Sequence, residues 1–234
     1  MSTDVLAFDG VIKAYGGLRP LRLRQLRVAP GEHVGLAGFD QATAELFVNL
    51  VTGATLPDEG TVTIFGRATS AITDSTDWLA TVEHFGIVSE RAVLLDGLTV
   101  VQNLSMPFTL EIEPPPDDVR MRATALGREA GLRDDVWDRP LAELDAVSRA
   151  RVRLARALAL DPVVLLLEHP TASVPPGEAP AYGRAIRELA ARRNAALLAL
   201  TADRPFAEAV AGRVLTLDAS SGQLRERRRG WFGR

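Results

Sequence analysis

Cysteine is absent from all 234 residues, which excludes disulfides, thiolate metal sites and cysteine nucleophiles, and fits a reducing compartment. Lysine is almost absent as well. Lys13 is the only one although Lys and Arg together number 27, so nearly every positive charge is a guanidinium. The chain also lacks a stretch approaching the roughly 20 apolar residues of a membrane-spanning helix. Met1 to Gly10 lacks a basic segment followed by an apolar run, so a cytoplasmic location is expected. A formal net charge of -3 is without the global basic bias that phosphate neutralisation requires, so nucleic acid is not an expected partner. What is present is ordinary for a globular protein. With 47% hydrophobic and 24% charged residues, the length suits one large α/β domain or two small ones.

The N-terminal third reads as short strands over Val5–Ile12, Leu21–Val28, His33–Ala37 and Gly60–Phe65, separated by turn signals such as Ala29-Pro30-Gly31 and Pro57-Asp58-Glu59-Gly60. A helix follows the third strand. Leu46, Phe47, Leu50 and Val51 recur at helical spacing, and Gly53 stands where a C-cap glycine belongs. After Pro114-Pro115-Pro116, the segment Asp117 to Leu160 is rich in Arg and Ala with little β-branching and reads as helices. Strands over Val163–Leu167, Ala195–Leu200 and Val214–Leu217 then alternate with a helix over Ala179–Arg193, the pattern of parallel strands with crossover helices. No repeats are seen. We expect an α/β protein in which a parallel-sheet core carries an antiparallel N-terminal sheet and a helical lobe at about 90–160, all within one domain spanning 1–225. Residues 226–234 are set apart as an arginine and aromatic tail.

Gly31-Glu32-His33-Val34-Gly35-Leu36-Ala37-Gly38 forms a strand running into a turn, and the next helix ends in Asn49-Leu50-Val51-Thr52-Gly53. Pro57-Asp58-Glu59-Gly60-Thr61-Val62 follows. Farther on come Leu98-Thr99-Val100 with Asn103-Leu104, then Arg151-Val152-Arg153-Leu154-Ala155-Arg156-Ala157-Leu158, Asp161-Pro162 before Leu165-Leu166-Leu167, Pro170-Thr171-Ala172, and Arg213-Val214-Leu215. Taken in this order from Tyr15 to Leu224, the chain resembles the ATP-binding subunits of ABC transporters. The resemblance implies a P-loop NTPase-like fold, ATP and Mg²⁺ as cofactors, and partners in a membrane permease and a second ATPase subunit. It also implies a location on the inner face of the cell membrane. In that family, two sites form at a head-to-tail dimer interface, each joining one subunit's phosphate loop and Walker B strand to the other's signature motif.

Most positions at which the family performs its chemistry are replaced. A phosphate loop of the form GxxxxGK followed by Ser or Thr needs glycines so that N–H groups converge on phosphate, a lysine for the β- and γ-phosphates and a hydroxyl for Mg²⁺. After Gly35, this frame reads Gly38-Phe39-Asp40-Gln41-Ala42-Thr43-Ala44-Glu45. Thr43 stands at the second glycine, Ala44 at the lysine and Glu45 at the hydroxyl. A charge pair about 4 Å apart is worth roughly 4 kcal/mol at an effective dielectric of 20, so this exchange should weaken phosphate binding about a thousandfold. No lysine lies nearby to substitute. The helix start is expected to be capped by Asp40 and Glu45 in place of phosphate, with Mg²⁺ on Glu45 as the competing reading.

The other stations by resemblance are altered too. Glu90 stands at the Q-loop glutamine, Glu168 at the metal-associated Asp after the Walker B strand, Pro175 at the D-loop Asp and Ala202 at the switch histidine. Glu45, Glu90 and Glu168 therefore occupy the positions of Mg²⁺ ligands. At the signature, Leu144-Asp145-Ala146-Val147-Ser148 lacks both glycines, and Asp145 adds repulsion toward a γ-phosphate. Tyr15 stands at the base-stacking aromatic, with a plain strand-end role as its alternative. His169 replaces the catalytic Glu. It is read as inactive, since a general base without bound substrate does nothing. His33 and His84 are read as structural.

The tail, Arg225-Glu226-Arg227-Arg228-Arg229-Gly230-Trp231-Phe232-Gly233-Arg234, reads as a solvated end or as an interfacial anchor. The combined expectation is a pseudo-ATPase subunit with weak or absent ATP and Mg²⁺ binding, docked on a permease or paired with a competent paralogue. The alternatives are a working transport ATPase with unusual site residues, a non-transport regulatory or scaffold protein, and a pocket adapted to another small ligand.

Overall fold

The structure is a computed structural model that describes residues 4–16 and 19–226. Strand β1 (Leu6–Lys13), β2 (Leu21–Val28), β3 (His33–Ala37) and helix α1 (Gln41–Val51) come first, then β4 (Glu59–Ile64), β5 (Arg67–Ala68), α2 (Ser75–Val82) and β6 (Phe85–Ser89). Helices α3 (Val100–Ser105), α4 (Asp117–Glu129) and α5 (Ala146–Ala157) follow. The remainder alternates as β7 (Val164–Glu168), α6 (Ala179–Arg192), β8 (Ala196–Leu200), α7 (Arg204–Val210), β9 (Arg213–Asp218) and β10 (Gln223–Glu226).

The strands form two sheets. One is antiparallel in the order β2-β1-β4-β5; the other runs β10-β9-β3-β8-β7-β6. In the second, β6, β7, β8, β3 and β9 are mutually parallel and only the terminal β10 is antiparallel. The expected mixed architecture is present, with β5, α2, β6, α7 and β10 as elements that the sequence reading omitted.

Period-2 patterning explains how this sheet is covered on both faces. Val164 and Leu166 of β7, with Leu198 and Leu200 of β8, join α1 and the antiparallel sheet in one apolar cluster. Leu165, Leu167, Leu197 and Ala199 point the other way into a cluster shared with α3, α5, α6 and α7. The helices after β6 therefore rest on the opposite face from α1. Gly86 permits the close approach of β6 to the end of α5, because a Cβ there would lie 2.5 Å from the Ala157 carbonyl oxygen. Consequently the C-terminal ends of β3, β6 and β7 lie at one edge, where Gln41, Glu45, Arg91 and Glu168 meet.

No helix among the described residues is long and apolar enough to cross a membrane. Beyond Arg225 and Glu226, the arginine and aromatic tail lies outside the described residues.

Candidate functional site

The turn from β3 into α1 is short. Gly38 leaves the strand at φ +87°, where a Cβ would approach the Leu217 carbonyl oxygen to 3.3 Å. Phe39 turns inward, its ring edge-on to Phe47 at 5.7 Å. Asp40 is the N-cap, its carboxylate accepting the Thr43 N–H at 2.8 Å, while its carbonyl accepts the Ala44 N–H at 2.9 Å. Gln41, Ala42 and Thr43 thus open α1 with the Thr43 N–H already paired to the Asp40 side chain, one of the N–H groups that a phosphate loop would turn toward an anion. Ala44 is fully buried in the apolar cluster. Tyr15 and Thr43 share a hydrogen bond between their hydroxyls at 3.0 Å, which ties the aromatic to the start of α1.

The hydroxyl and N–H of Thr43 hold the Asp40 carboxyl below the usual carboxylate range. A depressed folded-state pKa means that this stabilisation is present above the unfolded pKa and fades as pH falls through the folded one. Asp40→Ala should cost about 1 kcal/mol at neutral pH, the usual value of an N-cap, with the difference from wild type shrinking on acidification. Denaturant titrations at pH 7 and pH 3 check this; equal losses at both would refute the cap.

A second feature lies across the edge, at the end of β7. The Glu168 side chain is fully buried, and a lone buried carboxylate is untenable without partners. One oxygen accepts from Gln41 Nε2 at 2.5 Å and the other from an Arg91 Nη at 2.6 Å. The other Arg91 Nη reaches Glu45 Oε1 at 2.9 Å. Glu168 holds the Arg91 pKa above the ordinary guanidinium value. One arginine therefore spans two acids that stand at metal-ligand positions by resemblance.

Three expectations need correction here. Glu45 does not cap α1; only Asp40 does, because Glu45 sits beyond the first turn and faces Arg91 instead. The site is not without a cation, since Arg91 supplies one where no lysine was available. Nor do Glu45, Glu90 and Glu168 converge. Glu90 turns away to Arg153 at 2.6 Å and accepts from the Ser173 hydroxyl at 2.8 Å. Among the described residues, no group of three or more His, Asp or Glu is placed to hold a metal ion.

His169 follows Glu168 with φ +44°. Its N–H bonds the Leu200 carbonyl at 2.9 Å and its carbonyl accepts from Ala172 at 3.0 Å, so backbone bonds fix the turn. Its Nε2 is buried without a hydrogen-bond partner. Ala202 is exposed after β8. Gly35 lies in the middle of β3, paired with Ala199 and Val214.

The signature-like segment repeats the device at α1. Asp145 N-caps α5, accepting the Ser148 N–H at 2.8 Å and its hydroxyl at 2.9 Å. The Ser148 N–H bond foremost keeps the Asp145 pKa low. Leu144 and Val147 are buried, and Ala146 is the first helical residue. Among the described residues α1, α2, α5 and α7 all begin with an aspartate cap, Asp40, Asp74, Asp145 and Asp203, so the two caps at the altered stations use this chain's ordinary helix start.

Arg91 is the functional residue that the sequence reading missed. Its signal was indirect. An acid closing the apolar run Val164-Leu165-Leu166-Leu167 must find a buried donor, and in a chain with a single distant lysine that donor is an arginine. Which arginine it is depends on a contact across 77 positions, made by the β6–β7 pairing.

The family described as ABC transporter matches residues 21–172. A lipoprotein-releasing system ATP-binding protein LolD from Pseudomonas syringae pv. tomato is 31% identical over 194 residues, covering 83% of this chain and 84% of the relative. A methionine import ATP-binding protein MetN from Brucella abortus is 28% identical over 218 residues, covering 93% of this chain but only 58% of that relative. Among solved structures, a dimeric ATP-binding cassette in a post-hydrolysis state bound to ADP and Pi superposes with a TM-score of 0.76 at 22% identity, covering 97% of this chain and all of the other. The cbiO1 protein from Clostridium perfringens, part of an ABC transporter complex, gives 0.78 at 18% identity, covering 95% and 87%. With β3, α1, β6 and β7 arranged as described and well over half of its length inside the family match, this chain belongs to the ABC transporter family of ATP-binding subunits.

Proposed function

We propose that this chain is an ABC transporter ATP-binding subunit that has exchanged nucleotide chemistry for a self-filled site, and that it docks on a membrane permease or pairs with a competent ATPase paralogue. The observation that carries this is Arg91, bonded at once to Glu45 and to the buried Glu168. Mg-ATP and these residues do not fit. The Thr43 N–H is taken by Asp40, the lysine position is a buried Ala44, and Arg91 occupies both acids that stand at metal-ligand positions by resemblance. A nucleotide would have to displace Arg91 from a carboxylate whose burial makes separation costly. His169 is then a strand-end residue held by backbone bonds, and Glu90 belongs to a structural pairing.

This reading makes Mg-ATP binding weaker than about 1 mM, because phosphate would have to break the Arg91 pairs with Glu45 and the buried Glu168 before it met any positive charge. Isothermal calorimetry on the purified chain tests it; a micromolar dissociation constant would overturn it. Restoring only Ala44→Lys with Glu45→Ser should add little, since Asp40 still caps α1 and Ala44 faces the core. Adding Asp40→Gly, Thr43→Gly and Arg91→Gln should regain about tenfold or more in affinity.

A further inference from the structure

We infer that the consecutive residues Glu90 and Arg91 form a two-armed clasp that fixes the helices after β6 against the sheet without any ligand, an inference that rests on the reading of the site as self-filled. The geometry is two-sided. Arg91 reaches inward to Glu45 on α1 and Glu168 on β7, while Glu90 reaches outward to Arg153 on α5 and to Ser173 in the turn after β7. Four separate segments are thus held by two neighbouring side chains on one loop. Arg91 reinforces the loop by donating its own N–H to the Ser89 hydroxyl at 3.1 Å.

The contacts beneath the clasp explain why it is needed. The helices following β6 share a continuous apolar cluster with one sheet face, and apolar contact is non-directional, so it holds the helices close without setting their angle. Charge-assisted hydrogen bonds are directional. Those of Glu90 and Arg91 lie at the junction between helices and sheet, and Glu168 and Arg153 at their far ends are 0% and 12% exposed. Burial shields those ends from salt screening. Arg91 is here a positioning residue. With Glu90 bonded to Arg153 it sets the orientation of α5, on which α3 and α4 pack, so the face these helices present does not wait on nucleotide.

The absence of cysteine makes the test direct, because spin labels can be confined to two chosen positions. Met121→Cys on α4 and Ala185→Cys on α6 are both exposed, and pulsed electron spin resonance reads the distance between them. The full chain should give one narrow distribution that Mg-ATP does not change. Glu90→Gln and Arg91→Gln should each broaden it about twofold as the junction loosens. Because Arg91→Gln leaves Glu168 buried without its cation, Arg91→Gln with Glu168→Gln provides a variant free of a stranded charge, and it too should be broad. Unchanged widths in cooperatively folded variants would overturn the clasp and leave the proposed function standing. A wild-type distribution that shifts with Mg-ATP, with the variants still broadened, would overturn the self-filled site instead.

Discussion

Replacing the phosphate-loop lysine of a competent partner should abolish ATP hydrolysis in the reconstituted complex, by at least about a hundredfold, the scale on which one transition-state charge contact operates. The expectation rests on what each composite site would contain in a head-to-tail pair. One would join this chain's Ala44, Glu45, Arg91 and His169 to the partner's signature motif, with the guanidinium already bonded to both acids. The other would join an intact phosphate loop to Asp145-Ala146-Val147-Ser148, where Asp145 caps its own helix and points no free N–H of Ser148 toward a γ-phosphate. ATP would bind the partner, and closure over it would meet a carboxylate. Turnover surviving the lysine replacement would show that this chain hydrolyses ATP after all. Genomic neighbourhood supplies the candidate permease and partner for such a reconstitution.

The second large effect concerns stability. Arg91→Ala should lower it by about 1.5–3 kcal/mol, the range for a hydrogen bond to a charged group whose loss strands a buried partner. That figure sits below the loss expected for a fully buried pair because Arg91 is 42% exposed and water reaches one side of it. Exposed pairs elsewhere, such as Arg133 with Asp135, should contribute under about 1 kcal/mol when tested identically. Combining Arg91→Ala with Glu168→Gln should recover much of the loss, since an amide needs no counter-ion and Gln41 still offers a donor. Urea titration with unchanged slope reads both variants. A loss under about 0.5 kcal/mol for Arg91→Ala would remove the pair's structural importance.

Much of the fold was legible because its elements bury in simple periodic patterns. β2 alternates Leu and Arg over Leu21–Val28 and lies where that alternation places it, and β3 runs from His33 to Ala37 as read. β6 escaped notice because the apolar run Phe85-Gly86-Ile87-Val88 is short and holds a glycine that reads as a breaker, although that glycine reflects α5 pressing on it rather than a turn. α2 buries no residue at all and so leaves no apolar stripe, while β10 is a mostly exposed edge strand. At the site, the altered positions could be found by spacing, and the Asp40 cap followed from helix chemistry. The pairing of Glu45 could not be. Local rules sent it to the helix end, and only the chain's return through β6 brings Arg91 within reach.

On the proposed reading, the salt-linked trio of Glu45, Arg91 and Glu168 also constrains the order in which substitutions could fit this site to nucleotide. Removing Arg91 first strands an acid in the interior, and neutralising Glu168 first discards one of the acids that stands at a metal-ligand position. Placing a lysine at Ala44 first inserts a charge into packed hydrocarbon while Arg91 still bars the way. Each single step costs stability or removes a metal-ligand acid before any step gains function, because the residues couple and their effects do not add. On the proposed reading of a self-filled site, a path toward hydrolysis would cross several unfavourable intermediates, and the arginine would act as the pawl of a ratchet.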